Sequence, residues 1–294
     1  MGSVTPDVLI GRGLLGEDRF IDAANGRRLR AMVAGEGDDL IVLEAGLGAS
    51  GLYWGLVHAA IAPHARVVAY ERAGYGASTP ATGPRDLAER ADDLESVIDA
   101  FAHQRVVLVG HSWGGPIVRT VAARRHARGH GVHGLVLVDQ SDEHAADLYN
   151  SRLARLSDAI QTPLMVPLAK LRLLAPLVKS QLVGLPLTLR DAAVASSSTV
   201  DAARAVAAEN HRLGEALQLL HNSPPELGAV AMSVISGQQD TRLDRAIRRS
   251  LLDAHRATVH EHVGARAVAA VNSGHMVPVT EPELIASEAL SLLR

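Results

Sequence analysis

Residues 105–115 read Arg105-Val106-Val107-Leu108-Val109-Gly110-His111-Ser112-Trp113-Gly114-Gly115. The first five, with three β-branched valines, have the composition of a buried strand. Gly110 to Gly114 is a G-x-S-x-G turn, and Pro116 to Arg125 (PIVRTVAARR) continues as a helix. A strand before the motif and a helix after it are the context in which such a turn carries chemistry. The turn is tight enough that a side chain two residues either side of the serine would meet backbone, hence glycine at both places. Ser112 is then held in a strained conformation, its hydroxyl projecting at the N-terminus of a helix. Free N–H groups and the helix dipole there favour developing negative charge.

Composition bounds the rest. The chain has 294 residues, 47% hydrophobic and 21% charged. That is enough for one large core with an insertion. A net charge of −3 gives no bulk attraction to nucleic acid or an anionic membrane. There are no cysteines, which excludes disulfides, thiolate catalysis and cysteine-based metal sites. Residues 1–20 show no basic stretch followed by an apolar one, so no signal peptide is read and a cytoplasmic location is the default expectation. Aromatics make up only 3%, so the core must be built from Ala, Val, Leu and Ile.

Working outward, residues 18–34 read as two short strands joined at Asn25-Gly26, a hairpin signal. Asp39 to Glu44 (DLIVLE) is a buried strand running into the small-residue loop Ala45-Gly46-Leu47-Gly48-Ala49-Ser50. Leu52 to Ala62 reads as a helix, and Arg66 to Tyr70 as the next strand, followed by a glycine-punctuated turn over 71–78. From Asp86 to Phe101 apolar residues fall at helical spacing at Leu87, Ala91, Leu94, Ile98 and Phe101. Leu135 to Asp139, Ala231 to Ser236 and Arg266 to Val271 are further strands. Helices are predicted over Thr241 to His260 and Pro282 to Leu293. The alternation predicts an α/β fold: a mostly parallel, eight-stranded sheet with helices on both faces.

Residues 141–228 interrupt that alternation with a stretch of helical composition. Between Gln161 and Leu189 it is strongly apolar, with Lys170, Arg172 and Lys179 and no acid. Three cations and the prolines at 163, 167, 176 and 186 argue against a membrane span. An apolar face lining a pocket is the preferred reading, ahead of a helix lying on a membrane surface. The domain expectation is core over 1–140, a helical insertion over 141–228 and core again over 229–294.

Three stretches together carry a family resemblance: Gly110-His111-Ser112-Trp113-Gly114, Arg72-Ala73-Gly74-Tyr75-Gly76-Ala77-Ser78 and Asn272-Ser273-Gly274-His275-Met276-Val277-Pro278. In order and spacing the chain resembles the α/β-hydrolase fold superfamily, on its serine-nucleophile, esterase- and lipase-like branch. The resemblance implies that 141–228 is a cap over the active site. One departure is Ala45-Gly46, where relatives often have His-Gly. It leaves the bonding of that loop open and removes no catalytic group.

A serine hydroxyl is a poor nucleophile at neutral pH, so a base must take its proton as it attacks. Histidine, with an unperturbed pKa of about 6.5, suits the task. Of fourteen histidines, His275 is singled out because the Ser-Gly before it lets the ring swing over the sheet's C-terminal edge. The order Ser112…Asp240…His275 is the one this fold uses. The orienting acid is expected at Asp240, where relatives usually carry it after the strand that follows the cap. Asp139 is the alternative, since some relatives place the acid after the preceding strand; Asp142 lies close by. The resemblance further implies backbone N–H donors for the oxyanion at Leu47 and Trp113. His111, inside the elbow, is read as a packing or supporting residue and not the base. The pairs His126/His130 and His260/His262 have metal-compatible spacing but no recognisable third ligand, and are read as surface histidines.

The expected function is a serine hydrolase that cleaves an uncharged, largely apolar ester, thioester or lactone through an acyl-enzyme. Haloalkane dehalogenase and epoxide hydrolase chemistry are disfavoured, because those relatives carry aspartate at the elbow. C–C bond hydrolysis, amide hydrolysis, cofactor-free perhydrolysis and a slow-turnover, receptor-like binding role stay open as alternatives. A small-molecule substrate is the only partner implied. No metal, organic cofactor, nucleic acid or membrane span is called for, and an oligomer is left open.

Overall fold

The structure, a computed structural model, describes residues 10–23, 26–80, 83, 85–241 and 244–294. The Asn25 half of the expected hairpin turn and residues 1–9 of the stretch read for a leader lie outside them. The two strands around that turn are present. β1 (Glu17–Asp22) pairs antiparallel with β2 (Arg28–Ala34), which pairs antiparallel with β4 (Arg66–Glu71). From there the sheet is parallel through β3 (Asp39–Glu44), β5 (Arg105–His111), β6 (Gly134–Val138), β7 (Ala231–Gly237) and β8 (Ala265–Ala270). The order across its eight strands is β1-β2-β4-β3-β5-β6-β7-β8.

Both faces of the sheet are covered, and the period-two alternation of the strands shows how. In β5, Val106 and Leu108 join one apolar cluster, together with Leu40, Val42, Leu135 and Leu137. Val107 and Val109 point the other way, with Ile41, Leu43, Val136 and Val138. Helices α2 (Leu87–Asp99) and α3 (Gly114–Ala127) close the first face, while α1 (Gly55–Ile61) and the C-terminal helix close the second. Asp86 caps α2 by accepting the Glu89 N–H at 2.9 Å. The helix expected over Leu52 to Ala62 is divided: Gly51–Trp54 is a 3₁₀ turn, capped by Ser50, and α1 starts at Gly55. Its tight winding matches a close approach, since a Cβ on Gly51 would lie 2.3 Å from the Tyr70 carbonyl oxygen.

Between β6 and β7 the chain runs through helices: α4 (Ala146–Asn150), α5 (Arg152–Lys170), α6 (Leu174–Gln181), α7 (Leu187–Ser197) and α8 (Val200–Asn222). Pro163 and Pro167 both lie inside α5. Leu153, Leu156, Ile160 and Leu164, spaced along one stripe of α5, are exposed. No helix among the described residues is long and apolar enough to cross a membrane. After β7 come α9 (Arg245–Glu261), then β8, the single turn α10 (Val277–Thr280) and α11 (Pro282–Ser291).

Candidate active site

Strand β5 ends at His111 and α3 begins at Gly114, so Ser112 and Trp113 form the turn between them. Ser112 has φ of 52°, a left-handed conformation that costs a residue bearing a Cβ about 1–3 kcal/mol. Three backbone bonds hold it there. Its N–H donates to the Val138 carbonyl at 3.0 Å, and its own carbonyl accepts from Gly115 at 3.0 Å and Ser141 at 2.9 Å. A Cβ on Gly110 would lie 2.5 Å from the Gly114 oxygen, and one on Gly114 would lie 2.5 Å from the Glu44 oxygen. Both glycines are therefore required by contact.

The loop after β3 reaches the same place. A Cβ on Gly46 would sit 3.2 Å from the Ser112 Cβ and 3.1 Å from His111 Nδ1. Among the described residues no acceptor takes the N–H of Leu47 or of Trp113. Both N–H groups expected to serve as oxyanion donors are thus uncommitted.

His275, in the loop after β8, places Nδ1 2.7 Å from Asp139 Oδ2. Asp139 follows directly on β6, is fully buried, and has φ of 40°. Its other oxygen accepts from the Gly237 N–H at 3.0 Å and from Arg248 Nη1 at 2.5 Å. Burial opposes ionisation of Asp139. The His275 ring and the Arg248 guanidinium outweigh it and hold the carboxyl well below the usual carboxylate range.

The expectation for Asp240 is corrected by this geometry. Asp240 pairs with Arg245 at 3.2 Å near the protein surface. The reason lies in the path of residues 237–240. Gly237 runs against Gly274, where a Cβ would come within 2.0 Å of the Gly274 oxygen, and Gln239 donates to the Ser273 carbonyl at 2.8 Å. The segment has passed the histidine loop before Asp240 is reached. The alternative acid, Asp139, lies one strand nearer the serine and is the one against His275.

His111 bridges the two halves of the site. Its Nε2 lies 2.9 Å from the His275 carbonyl oxygen, so Nε2–H is the donor. Its Nδ1 therefore accepts from the Tyr53 hydroxyl at 3.0 Å, and that hydroxyl in turn accepts the Gly46 N–H at 3.2 Å. Burial first, and then the neighbouring His275, pushes His111 down to about 3, so it is neutral at ordinary pH. A buried neutral ring with both nitrogens engaged holds the loops around it and has no lone pair free to act as a base.

A sequence profile of the alpha/beta hydrolase fold matches residues 39–219, more than half of the chain. The chain belongs to the alpha/beta hydrolase fold family. An "AB hydrolase superfamily protein" of Gibberella zeae is 24% identical over 93% of this chain and 94% of its own length. A Caulobacter protein (strain K31) named "Putative carbamate hydrolase RutD" is 34% identical, over 40% of this chain and 44% of its own length. In matches of that second kind the chain spans less than half the length of the curated relatives. Among solved structures, an esterase from Exiguobacterium antarcticum superposes with a TM-score of 0.65 at 19% identity, covering 94% of this chain and 99% of that one. The enol-lactonase from Burkholderia xenovorans LB400 gives 0.61 at 21%, with the same coverage. At these identities the likeness is one of fold.

In this alpha/beta hydrolase, Tyr53, Arg248 and Arg72 stand at the site without having been singled out from the sequence. Arg248 stands among several arginines of α9, and only its contact with Asp139, 109 positions away, distinguishes it. Arg72 lies in a quoted motif, but its task becomes visible only in space: it donates to the Ala45 carbonyl at 2.6 Å and to the Gly46 carbonyl at 2.8 Å. Those two bonds settle how a loop with Ala45-Gly46 is tied down. Asp142, Glu143 and His144 bring ligand-type atoms within 4.8 Å of one another. Glu143 is committed to Arg119 through both oxygens, and Asp142 accepts from Gln140, Thr258 and the His144 N–H. Those three residues serve the fold.

Proposed function

We propose that this protein is a serine hydrolase that cleaves an uncharged, largely apolar carboxylic ester, thioester or lactone through a Ser112–His275–Asp139 triad. The observation that carries the reading is the 2.7 Å contact of His275 Nδ1 with a buried, doubly supported Asp139, beside a serine at φ of 52°. With Nδ1–H donated to Asp139, His275 keeps Nε2 as the acceptor for the Ser112 proton. The Ser112 Oγ attacks the carbonyl carbon, and the electron pair moves to the carbonyl oxygen. The N–H groups of Leu47 and Trp113 are the donors for that oxyanion. His275 then returns the proton to the leaving oxygen or sulfur and the acyl-enzyme forms. Water, deprotonated by the same Nε2, releases the acid. Asp139 keeps the ring in the tautomer that presents Nε2 and balances the imidazolium formed at each step.

The helices between β6 and β7 act as a cap in this reading. The apolar character of the stretch from Gln161 to Leu189, which carries no acid, supports an apolar acyl or alkyl group as the preferred substrate part. Multiple-turnover assay on a short p-nitrophenyl ester tests the proposal. Wild-type protein is expected to turn over, and Ser112→Ala and His275→Ala to lose several powers of ten in kcat with melting temperatures near wild type. Full activity in folded Ser112→Ala would remove the serine from the reaction.

A further inference from the structure

Arg72 is fully buried, and its contacts run in two directions. Toward the sheet, Nη1 donates to Glu44 Oε1 at 2.7 Å and to the Ala45 carbonyl, and Nη2 donates to the Gly46 carbonyl. Toward the cap, Nη2 reaches Glu209 Oε2 at 3.0 Å and Nε reaches Glu209 Oε1 at 3.3 Å. Glu209 belongs to α8, has no exposed surface, and also accepts from Arg85 Nη2 at 2.5 Å. Burial disfavours its charge, but Arg72, Arg85 and Arg90 outweigh burial and hold it at about 2. The carboxylate is ionised wherever the enzyme works.

The Gly46 oxygen and the Leu47 nitrogen belong to one peptide group. That group is planar and trans, so its C=O and N–H point in opposite directions. A guanidinium fixed on the Gly46 oxygen therefore fixes the direction of the Leu47 N–H, and its charge makes that N–H a stronger donor. The loop needs such a restraint, because Gly46 and Gly48 flank the donor and Gly48 has φ of 77°. The cap touches the loop elsewhere too: Ser197 of α7 accepts the Ser50 N–H at 2.9 Å.

We propose that Glu209 is a positioning residue. By seating Arg72 on the Gly46 carbonyl it aims the Leu47 N–H into the oxyanion hole, so the hole is complete only when the cap is docked. This inference rests on the serine-hydrolase reading and adds to it a coupling between cap and chemistry.

The test compares wild-type protein with Glu209→Gln. Active sites are counted with a fluorophosphonate, then kcat, KM, the melting temperature and the affinity for an aryl trifluoromethyl ketone are measured. The ketone forms a tetrahedral adduct whose oxygen occupies the hole. Deleting an oxyanion donor outright costs about 10²–10³ in kcat. Misaiming one is expected to lower kcat per titrated site by about 10-fold, with KM within about twofold, and to weaken the ketone by the same factor. If kcat per titrated site and the ketone affinity both stay within about twofold of wild type, the inference is overturned, whatever the melt shows. Should Glu209→Gln not fold, Glu209→Asp, which withdraws the carboxylate by one methylene, is read by the same criteria. Wild-type protein that neither turns over nor takes the label on Ser112 would overturn the underlying reading and this inference with it. Normal wild-type turnover with an indifferent Glu209 variant removes this inference alone.

Discussion

Asp139 accepts from a histidine, an arginine and a backbone N–H while having no exposed surface. Replacing it by asparagine keeps the shape, removes the charge and favours the wrong tautomer of His275. In a serine-protease triad the equivalent change costs about 10⁴ in kcat. Asp139→Asn is expected to lose several powers of ten per titrated site, and Asp240→Asn to stay near wild type, since among the described residues Asp240 pairs with Arg245 near the surface. Asp139→Asn should also lower the melting temperature, because it leaves Arg248 buried against a neutral partner. A folded, active Asp139→Asn would contradict the triad. For the proposed triad, serine and histidine could be nominated from the sequence because each sits in a local pattern: strand, glycine-flanked turn and helix for Ser112, Ser-Gly before His275. The acid was not. Asp139 and Asp240 both fall between Ser112 and His275 in the chain and both follow a strand, so chain order cannot separate them. What separates them is contact with Arg248 and Gly237, about a hundred residues away.

At the scale of elements, the unbroken apolar run of β5 over Val106 to Val109 pointed to a buried strand, and each of these side chains enters one apolar cluster or the other. The elbow has no tolerance. Gly114→Ala would drive a methyl to 2.5 Å from the Glu44 oxygen, a backbone atom that cannot swing away. Thermal or urea melts should show it less stable by about 1–3 kcal/mol, with activity lost alongside. An unchanged melt would mean that the strand below the elbow yields. The 3₁₀ turn at Gly51–Trp54 was not readable from local spacing, and the close approach of Gly51 to the Tyr70 carbonyl involves a partner supplied by another strand. The apolar stretch from Gln161 to Leu189 carries the substrate prediction. If it receives the acyl chain, kcat/KM should rise over the first few carbons of a p-nitrophenyl ester series. Each buried methylene supplies at most about 0.8 kcal/mol. A flat or falling series would count against an apolar acyl site.

Across the whole molecule, burial of histidine sets how stability depends on pH. His58 is lowered to about 4 by burial, against hydrogen bonds to backbone that raise it, and its Nε2–H donates to the Met32 carbonyl at 3.3 Å. His111 is lowered further, to about 3. Both are depressed from the ordinary histidine value of 6.5, so between that value and the folded one the unfolded chain binds more protons. Their contribution is therefore complete above pH 6.5 and is lost as the pH falls toward 4 and 3. Each proton adds a slope of about 1.4 kcal/mol per pH unit. His58→Gln, whose amide can still reach Met32, should flatten the fall between pH 6 and pH 4.5 by about one such proton. An unchanged slope would show that His58 is not held neutral by the fold.

The same scale joins insertion to sheet, since Glu209 of α8 meets Arg72 and Arg85 from the body of the protein. The sequence marked the insertion by its break in alternation. The ion pairs that seat it lie 124 and 137 positions apart and leave no local pattern. The proposed mechanism turns on one hydroxyl, and covalent capture tests it most directly. Wild-type protein treated with a fluorophosphonate and mapped by mass spectrometry should carry a single adduct, on Ser112, absent in Ser112→Ala and slow to form in His275→Ala. An adduct on another residue, or none on folded wild-type protein, would contradict the account.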